Sequence, residues 1–367
     1  MVMKSTALKN AGYLLVLLPQ LLYVCGILAG FPWLVVVFFF GVVPFLRKYV
    51  GNDTSLPNLK TSPLLCFYLR SIPRLYFAAW AMILPWTIWI LATRDILLLD
   101  YVGIGLSLWI VGSLNTAVAH EMIHSHSRLD RFLASILDAS VGYCHFPEEH
   151  FSHHERTGHH HGGDAAKPGT SIYRYAVSRY LASFRAAREF EASRLKRLGL
   201  SWASSRPLRR AALPIFIGGA FFYYVGWTGL LFYVLQILGA AFSVQAITFL
   251  QHWGLSQRDT PDLADYGFAW EDGCWMQACV TLNHAYHGGH HLNPSLPYYR
   301  LSMGKDALTL PASYPLMFAV ALVPPCFTRI MATRLELWLN NVESREDMAY
   351  QSECVSAARI ARMVKRA

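Results

Sequence analysis

Long apolar runs set what this chain can fold into. They cover 11–29, 31–46, 75–93 and 96–119, and two more follow at about 211–227 and 228–250. Each approaches the roughly 20 residues that a helix needs to cross a bilayer, although 31–46 is short. Backbone polar groups in lipid must be satisfied within the segment, so such runs are read as helices. Only 15% of the 367 residues are charged, against about 25% in an ordinary soluble domain. The expected fold is all-α: a polytopic membrane protein with about six transmembrane helices, paired as three hairpins. The stretch 313–331 is read two ways, as a seventh span or as a buried amphipathic segment, because Pro324 and Pro325 interrupt it.

Orientation follows from lysine and arginine. Lys4 and Lys9 precede the first run, and Arg47, Lys48, Lys60, Arg70 and Arg74 lie in the connection 47–74. The segment 120–210 is richer still, with Arg174, Arg179, Arg185, Arg188, Arg194, Lys196, Arg197, Arg206, Arg209 and Arg210. The other connections are short and nearly uncharged. The positive-inside rule puts both termini and the two large segments in the cytoplasm. The first run reads as a retained signal-anchor rather than a cleaved signal peptide. The expected organisation is 1–119 as four spans, 120–210 as a cytoplasmic segment, 211–250 as a transmembrane hairpin, and 251–367 as a second cytoplasmic segment. The formal charge of +9 is explained by this topology, with anionic lipid as partner, and no nucleic-acid motif accompanies it. No glycine-rich nucleotide loop is present either. The seven cysteines form no CxxC pair and read as reduced thiols.

All 15 histidines fall after residue 119, in clusters. HEMIH supplies His120 and His124, and HFSHH supplies His150, His153 and His154. QHWGL contributes His252, and HGGHH contributes His287, His290 and His291. Residues three and four apart share a helical face, so three helical faces each offer two or three imidazoles, and His252 reaches the same depth. A structural zinc site closes with four ligands, often including cysteine. Eight or nine histidines exceed one ion's needs. Two metals without thiolates, beside a membrane interior, point to oxygen chemistry on an apolar substrate, with iron as the metal. Lone histidines such as His126, His145 and His284 are more often satisfied polar residues than ligands. The run His159, His160 and His161 reads as a solvated loop or a weak metal-catching tract. HEMIH also matches the zinc-protease helix signature, which two further boxes argue against.

Three such boxes in this order resemble the membrane-bound fatty-acid desaturase and hydroxylase superfamily. HEMIH, HFSHH, GTSIYRY, QHWGL, and a HxxHH box followed by Pro and YYRL resemble the alkane monooxygenases and, equally, the hydroxylase subunit of xylene monooxygenase. The resemblance covers roughly residues 110–335. It implies that His120, His124, His150, His153, His154, His252, His287, His290 and His291 bind two non-haem irons in a cytoplasmic di-iron region. The family's second box is HxxxHH, and counting back from His153 by that spacing lands on Glu149, so either His150 or Glu149 completes it.

The implied activity is a monooxygenase that hydroxylates an unactivated C–H bond of an alkane, an alkyl chain or an alkyl-aromatic methyl group. Oxygen is the co-substrate, and the electrons come from a rubredoxin or a ferredoxin-type reductase. Glu121, Glu149, Glu155 and Asp164 are candidates for orienting the imidazoles, and no residue beyond the metal ligands is assigned a catalytic role. The alternative within the superfamily is a fatty-acyl desaturase or acetylenase. From another class comes a histidine-rich divalent-metal transporter, which would place ionisable residues inside its spans. The implied location is the bacterial inner membrane, with the active site on the cytoplasmic side. An apolar substrate then enters from lipid, past aromatics drawn from Trp33, Phe38, Phe39, Trp80, Trp86 and Trp89.

Overall fold

The computed structural model describes residues 5–346 apart from 54, 56–60, 156, 159–163, 261–265 and 305–306. His159, His160 and His161, and the side chain of Glu155, lie outside the described residues. Among the described residues the secondary structure is helical, and β pairing is confined to isolated bridges.

Helix α1 (Thr6–Leu28) starts where the Ser5 hydroxyl accepts the amide of Leu8, satisfying one of the donors that a helix start leaves free. Helix α2 (34–50) contains a π-helical stretch at Val37–Val42. Helices α3 (Pro63–Thr93) and α4 (Leu98–Ile123) follow, with only residues 94–97 between them. Helix α5 (Arg128–Ser140), α6 (Phe146–Glu155) and α7 (Ile172–Leu198) build the long polar segment. Helices α8 (Ala212–Val225) and α9 (Trp227–His252) form a hairpin around Gly226, whose φ of 80° suits a glycine. Beyond it come α10 (Trp275–Val280), α11 (His287–Leu292), α12 (Tyr314–Ala321) and α13 (Pro324–Glu346).

Four of the described helices, α1, α3, α4 and α9, are long and apolar enough to cross a membrane. The runs 31–46 and 211–227 also become helices, but α8 has 14 residues, short of the roughly 20 needed, and α2 is broken by its π-turn. The stretch 313–331 divides at 322–323. Pro324 and Pro325 open α13 instead of ending α12, because proline is tolerated in a first helical turn. At eight residues α12 is too short to be a span, and it buries Met317, Phe318 and Ala321.

Hydrogen bonds between side chains tie the bundle together where lipid supplies none. Tyr23 and Thr87 meet at 2.9 Å, and the Tyr76 hydroxyl donates to Asn115 Oδ1 at 2.9 Å. Trp80 Nε1 donates to Ser140 Oγ at 2.8 Å. The described cysteines form no disulfide. Both α4 and α9 end in histidine-bearing turns packed side by side, which fixes one end of the bundle as the place where chemistry gathers.

Candidate metal centre

At that end the imidazoles form two groups. His120, His124, His150, His154 and His290 bring one ring nitrogen each to within 4.8 Å of one another, and His153, His252, His287 and His291 do the same. The grouping departs from the simple face pattern. On α6, His150 and His154 serve the first group and His153 the second; on α11, His290 serves the first and His287 with His291 the second. Neighbouring residues on a helix diverge by about 100°, so the adjacent histidines of each HH pair reach different centres. The two boxes are thereby shared, and the centres are held side by side.

Within the first group the Nε2 atoms of His124 and His154 each lie 2.8 Å from His150 Nε2, and His290 Nε2 is 3.1 Å from His154 Nε2. In the second, His291 Nε2 lies 2.8 Å from His287 Nε2 and 3.2 Å from His153 Nε2. His120 Nε2 and His252 Nε2 are buried and make no hydrogen bond. Where the other ring nitrogen keeps the proton, converging Nε2 atoms face one another with lone pairs, a costly arrangement unless a cation receives them. Burial, followed by the neighbouring imidazoles, holds His150, His153, His287, His290 and His291 well below the usual imidazole range. Burial alone brings His124 to about 4, and burial with His124 beside it brings His154 to about 3. Neutral rings are what a metal requires. The donor set therefore fits two metal ions.

Outer contacts set the tautomers. His252 Nδ1 donates to the Phe268 carbonyl at 2.7 Å, which leaves Nε2 as the donor to metal. Phe268 has φ 48°, a region few non-glycine residues occupy, and this twist aims its carbonyl at the ring. His291 Nδ1 and Thr157 Oγ1 lie 2.8 Å apart, while Thr157 also donates to the His153 carbonyl at 3.2 Å. Asp164 Oδ2 sits 3.4 Å from His153 Nδ1 and 3.5 Å from His252 Nε2, at 0% exposure.

The remaining described carboxylate candidates are engaged by other groups. Glu121 accepts the Tyr298 amide at 3.1 Å. Glu149 is paired with Arg179 at 2.5 Å, both side chains 6% exposed, so His150 and not Glu149 enters the imidazole group. Glu271 was not singled out from sequence. It accepts the Gly289 amide at 3.0 Å and fixes the turn that carries the third box. Burial pushes its carboxyl up to about 7. A Cβ on Gly288 would meet the Tyr266 carbonyl at 2.5 Å and Glu271 at 3.0 Å, which explains the glycine inside HGGHH. Among the lone histidines, His126 is exposed, and His145 bonds Ser183 at 3.2 Å. His284 places its ring 4.5 Å from His120, centroid to centroid, on the wall of a cavity.

Because Glu149 and Arg179 are buried together, removing one strands the other. Arg179→Met is expected to cost about 3–5 kcal/mol, seen as a lower melting temperature of the purified protein. A melting temperature equal to that of the parent would contradict this.

The cavity measures about 430 Å³ and ends at His120, His150, His153, His284 and His287. Its walls are mainly apolar: Phe38 and Phe39 from α2, Trp109 and Ile110 from α4, and Phe318 from α12. Of the aromatics expected to shape it, Phe38 and Phe39 do so, whereas Trp33, Trp80, Trp86 and Trp89 pack outside it. A separate cleft of about 130 Å³ reaches His124 from another side and is lined by Arg70, Arg74, Glu121, His126 and Asp130. The centre thus has one apolar approach and one polar approach, with no residue common to both linings.

The sequence also has relatives. Residues 96–320 match the model of the family described as "Fatty acid desaturase". Alkane 1-monooxygenase 1 of Alcanivorax borkumensis is 28% identical over 321 residues, covering 83% of this chain and 78% of that protein. Alkane 1-monooxygenase 1 of Pseudomonas aeruginosa is 27% identical over 339 residues, covering 88% and 87%. Alkane 1-monooxygenase of Pseudomonas putida is 27% identical over 327 residues, covering 84% and 79%. With the family model spanning more than half of its length, and the histidine boxes gathered as two converging groups, the chain belongs to the fatty acid desaturase family.

Proposed function

We propose that the protein is an integral-membrane monooxygenase that hydroxylates an unactivated C–H bond of an alkane or alkyl chain, using O2 and external electrons. The observation that carries this reading is the juxtaposition of two all-imidazole groups with the histidine-lined part of a mainly apolar cavity. The alkane 1-monooxygenases among the relatives support the same reaction class. His120, His124, His150, His154 and His290 would hold one iron, and His153, His252, His287 and His291 the other. Imidazole suits iron as well as zinc, and the reaction with oxygen selects iron. When bound, the irons supply the oxidising chemistry. The chain holds the imidazoles neutral, keeps their Nδ1 protons on Phe268 and Thr157, and excludes water from the alkyl chain with Phe38, Phe39, Trp109 and Phe318.

The electron donor is proposed to be a rubredoxin or a ferredoxin-type protein. Arg179, Arg194 and Arg210 are taken up in ion pairs with Glu149, Glu191 and Glu148. Arg174, Arg185, Arg188, Lys196 and Arg197 on α7 are exposed and suit an acidic partner. By the positive-inside rule this face is cytoplasmic, and the membrane a bacterial inner membrane.

Mass spectrometry of products from linear alkanes, xylenes and fatty acids, each supplied with O2 and a reductase system, tests the reading. The expected result is a gain of one oxygen on an alkyl carbon. A loss of two hydrogens would make the protein a desaturase, and metal flux into proteoliposomes without oxygen uptake would make it a transporter.

A further inference from the structure

Among the described residues, the cavity carries one hydroxyl that nothing in the protein uses. Six described hydroxyl residues line it, and five are engaged. Ser113, Thr248 and Thr281 donate back to the carbonyls four residues earlier, at 2.8, 2.9 and 2.8 Å. Ser243 accepts Trp109 Nε1 at 2.9 Å, and Tyr314 donates to the Trp270 carbonyl at 3.3 Å. Such back-bonding is the usual fate of a hydroxyl in an apolar helix. Thr116 does not follow it: its Oγ1 is buried and has no partner. Leaving a buried hydroxyl unmatched costs about 1–3 kcal/mol.

Its position gives the orphan a meaning. Thr116 stands one helical turn before His120 on α4, on the same face, so it lies at the metal end of the cavity. His284 lies at the same end, with its ring beside that of His120 and its Nδ1 also buried and unpartnered. The rest of the lining is mainly apolar, and the Arg179 guanidinium, whose Nε has no hydrogen-bond partner, is committed to Glu149 through Nη2. An alkyl chain has nothing to offer Thr116 until an oxygen has been placed on it.

We propose that Thr116 is a positioning residue that hydrogen-bonds the oxygen on the oxidised end of the chain, with His284 as its neighbour at the same locus. This rests on the hydroxylase reading above. It makes the cavity a binding site for long-chain primary alcohols, held with the hydroxyl towards His120, and distinguishes them from the parent alkanes. Product retention and inhibition by the alcohol follow directly.

The test uses the purified iron-loaded protein in nanodiscs and a fluorescent apolar probe displaced by dodecane or by dodecan-1-ol. Thr116→Val keeps the shape and removes the hydroxyl; Thr116→Ser keeps the hydroxyl. The ratio of alcohol to alkane affinity is expected to fall about five- to tenfold in Thr116→Val, the worth of one hydrogen bond, and to persist in Thr116→Ser. Inhibition of turnover by dodecan-1-ol should weaken in parallel. If Thr116→Val does not fold, Thr116→Ala against Thr116→Ser poses the same comparison. An unchanged ratio in a folded variant without the hydroxyl, or a ratio lost equally in Thr116→Ser, overturns the anchor while leaving the hydroxylase reading intact. A wild-type protein that binds neither dodecane nor dodecan-1-ol overturns both.

Discussion

Alanine at His290 should abolish turnover and lower the iron content of the purified protein from about two per chain. His290 supplies one of five nitrogens to the first group, and its ring is 4% exposed. Even partners that merely orient a ligand are worth about 10–100-fold in metal affinity or activity, so loss of the nitrogen itself should exceed about 100-fold. The second group starts with four nitrogens, and His252→Ala leaves three. That variant should release its metal more readily than His290→Ala releases the other. His126→Ala is the control, because His126 is exposed and belongs to neither group. Iron by elemental analysis, together with oxygen consumption driven by a reductase, reads all three. Full turnover by His290→Ala, or stoichiometric zinc in active protein, would sink the two-iron assignment.

The eight histidines of the three boxes could be grouped from the sequence, since spacing of three and four residues is a local property of helices, whereas His252 stands alone and was singled out by its place after the last long run and by the resemblance. How they divide was not legible. Assigning His153 and His154 to different groups, or His290 and His291, requires knowing where α6 and α11 sit relative to α4 and α9. The uncertainty between Glu149 and His150 was of the same kind. Arg179, a residue thirty positions away, takes the Glu149 carboxylate, and no local pattern announces that pairing. Glu271 left no signal in the sequence, because its role is to accept an amide in a turn that is folded beside it. The apolar runs gave the helices but not the number of complete spans. The π-turn at Val37–Val42 in α2 leaves no trace in hydropathy, and α8, at 14 residues, stops short of a full span.

Aromatic residues were the least legible feature, since membrane helices are rich in them for several reasons, and the structure redirects the choice of a length-determining residue. Trp86 packs against Tyr23, with centroids 6.2 Å apart, away from the cavity. Trp109 lines the cavity. It is eleven residues before His120, about 16 Å along the helix at 1.5 Å per residue. Its indole nitrogen is fixed on Ser243, its ring lies 6.3 Å from Phe318, and a Cβ on Gly239 would touch it at 2.8 Å. The ring is therefore wedged between α4, α9 and α12 and cannot swing aside for a longer chain. In an apolar pocket one methylene too many or too few is worth about 1–3 kcal/mol, or 10–200-fold in kcat/KM. Trp109→Ala should remove that discrimination against alkanes longer than the preferred substrate, raising their relative kcat/KM by about tenfold or more. The iron content should not change, because Trp109 is remote from both imidazole groups. The same truncation at Trp86 should leave the chain-length profile as it was, while costing stability through a cavity in the packed bundle. Competition within a homologous series of linear alkanes, read by product ratios, measures both variants in the same units. A Trp109→Ala profile identical to the parent, or an equal shift from Trp86→Ala, would place the limiting wall elsewhere.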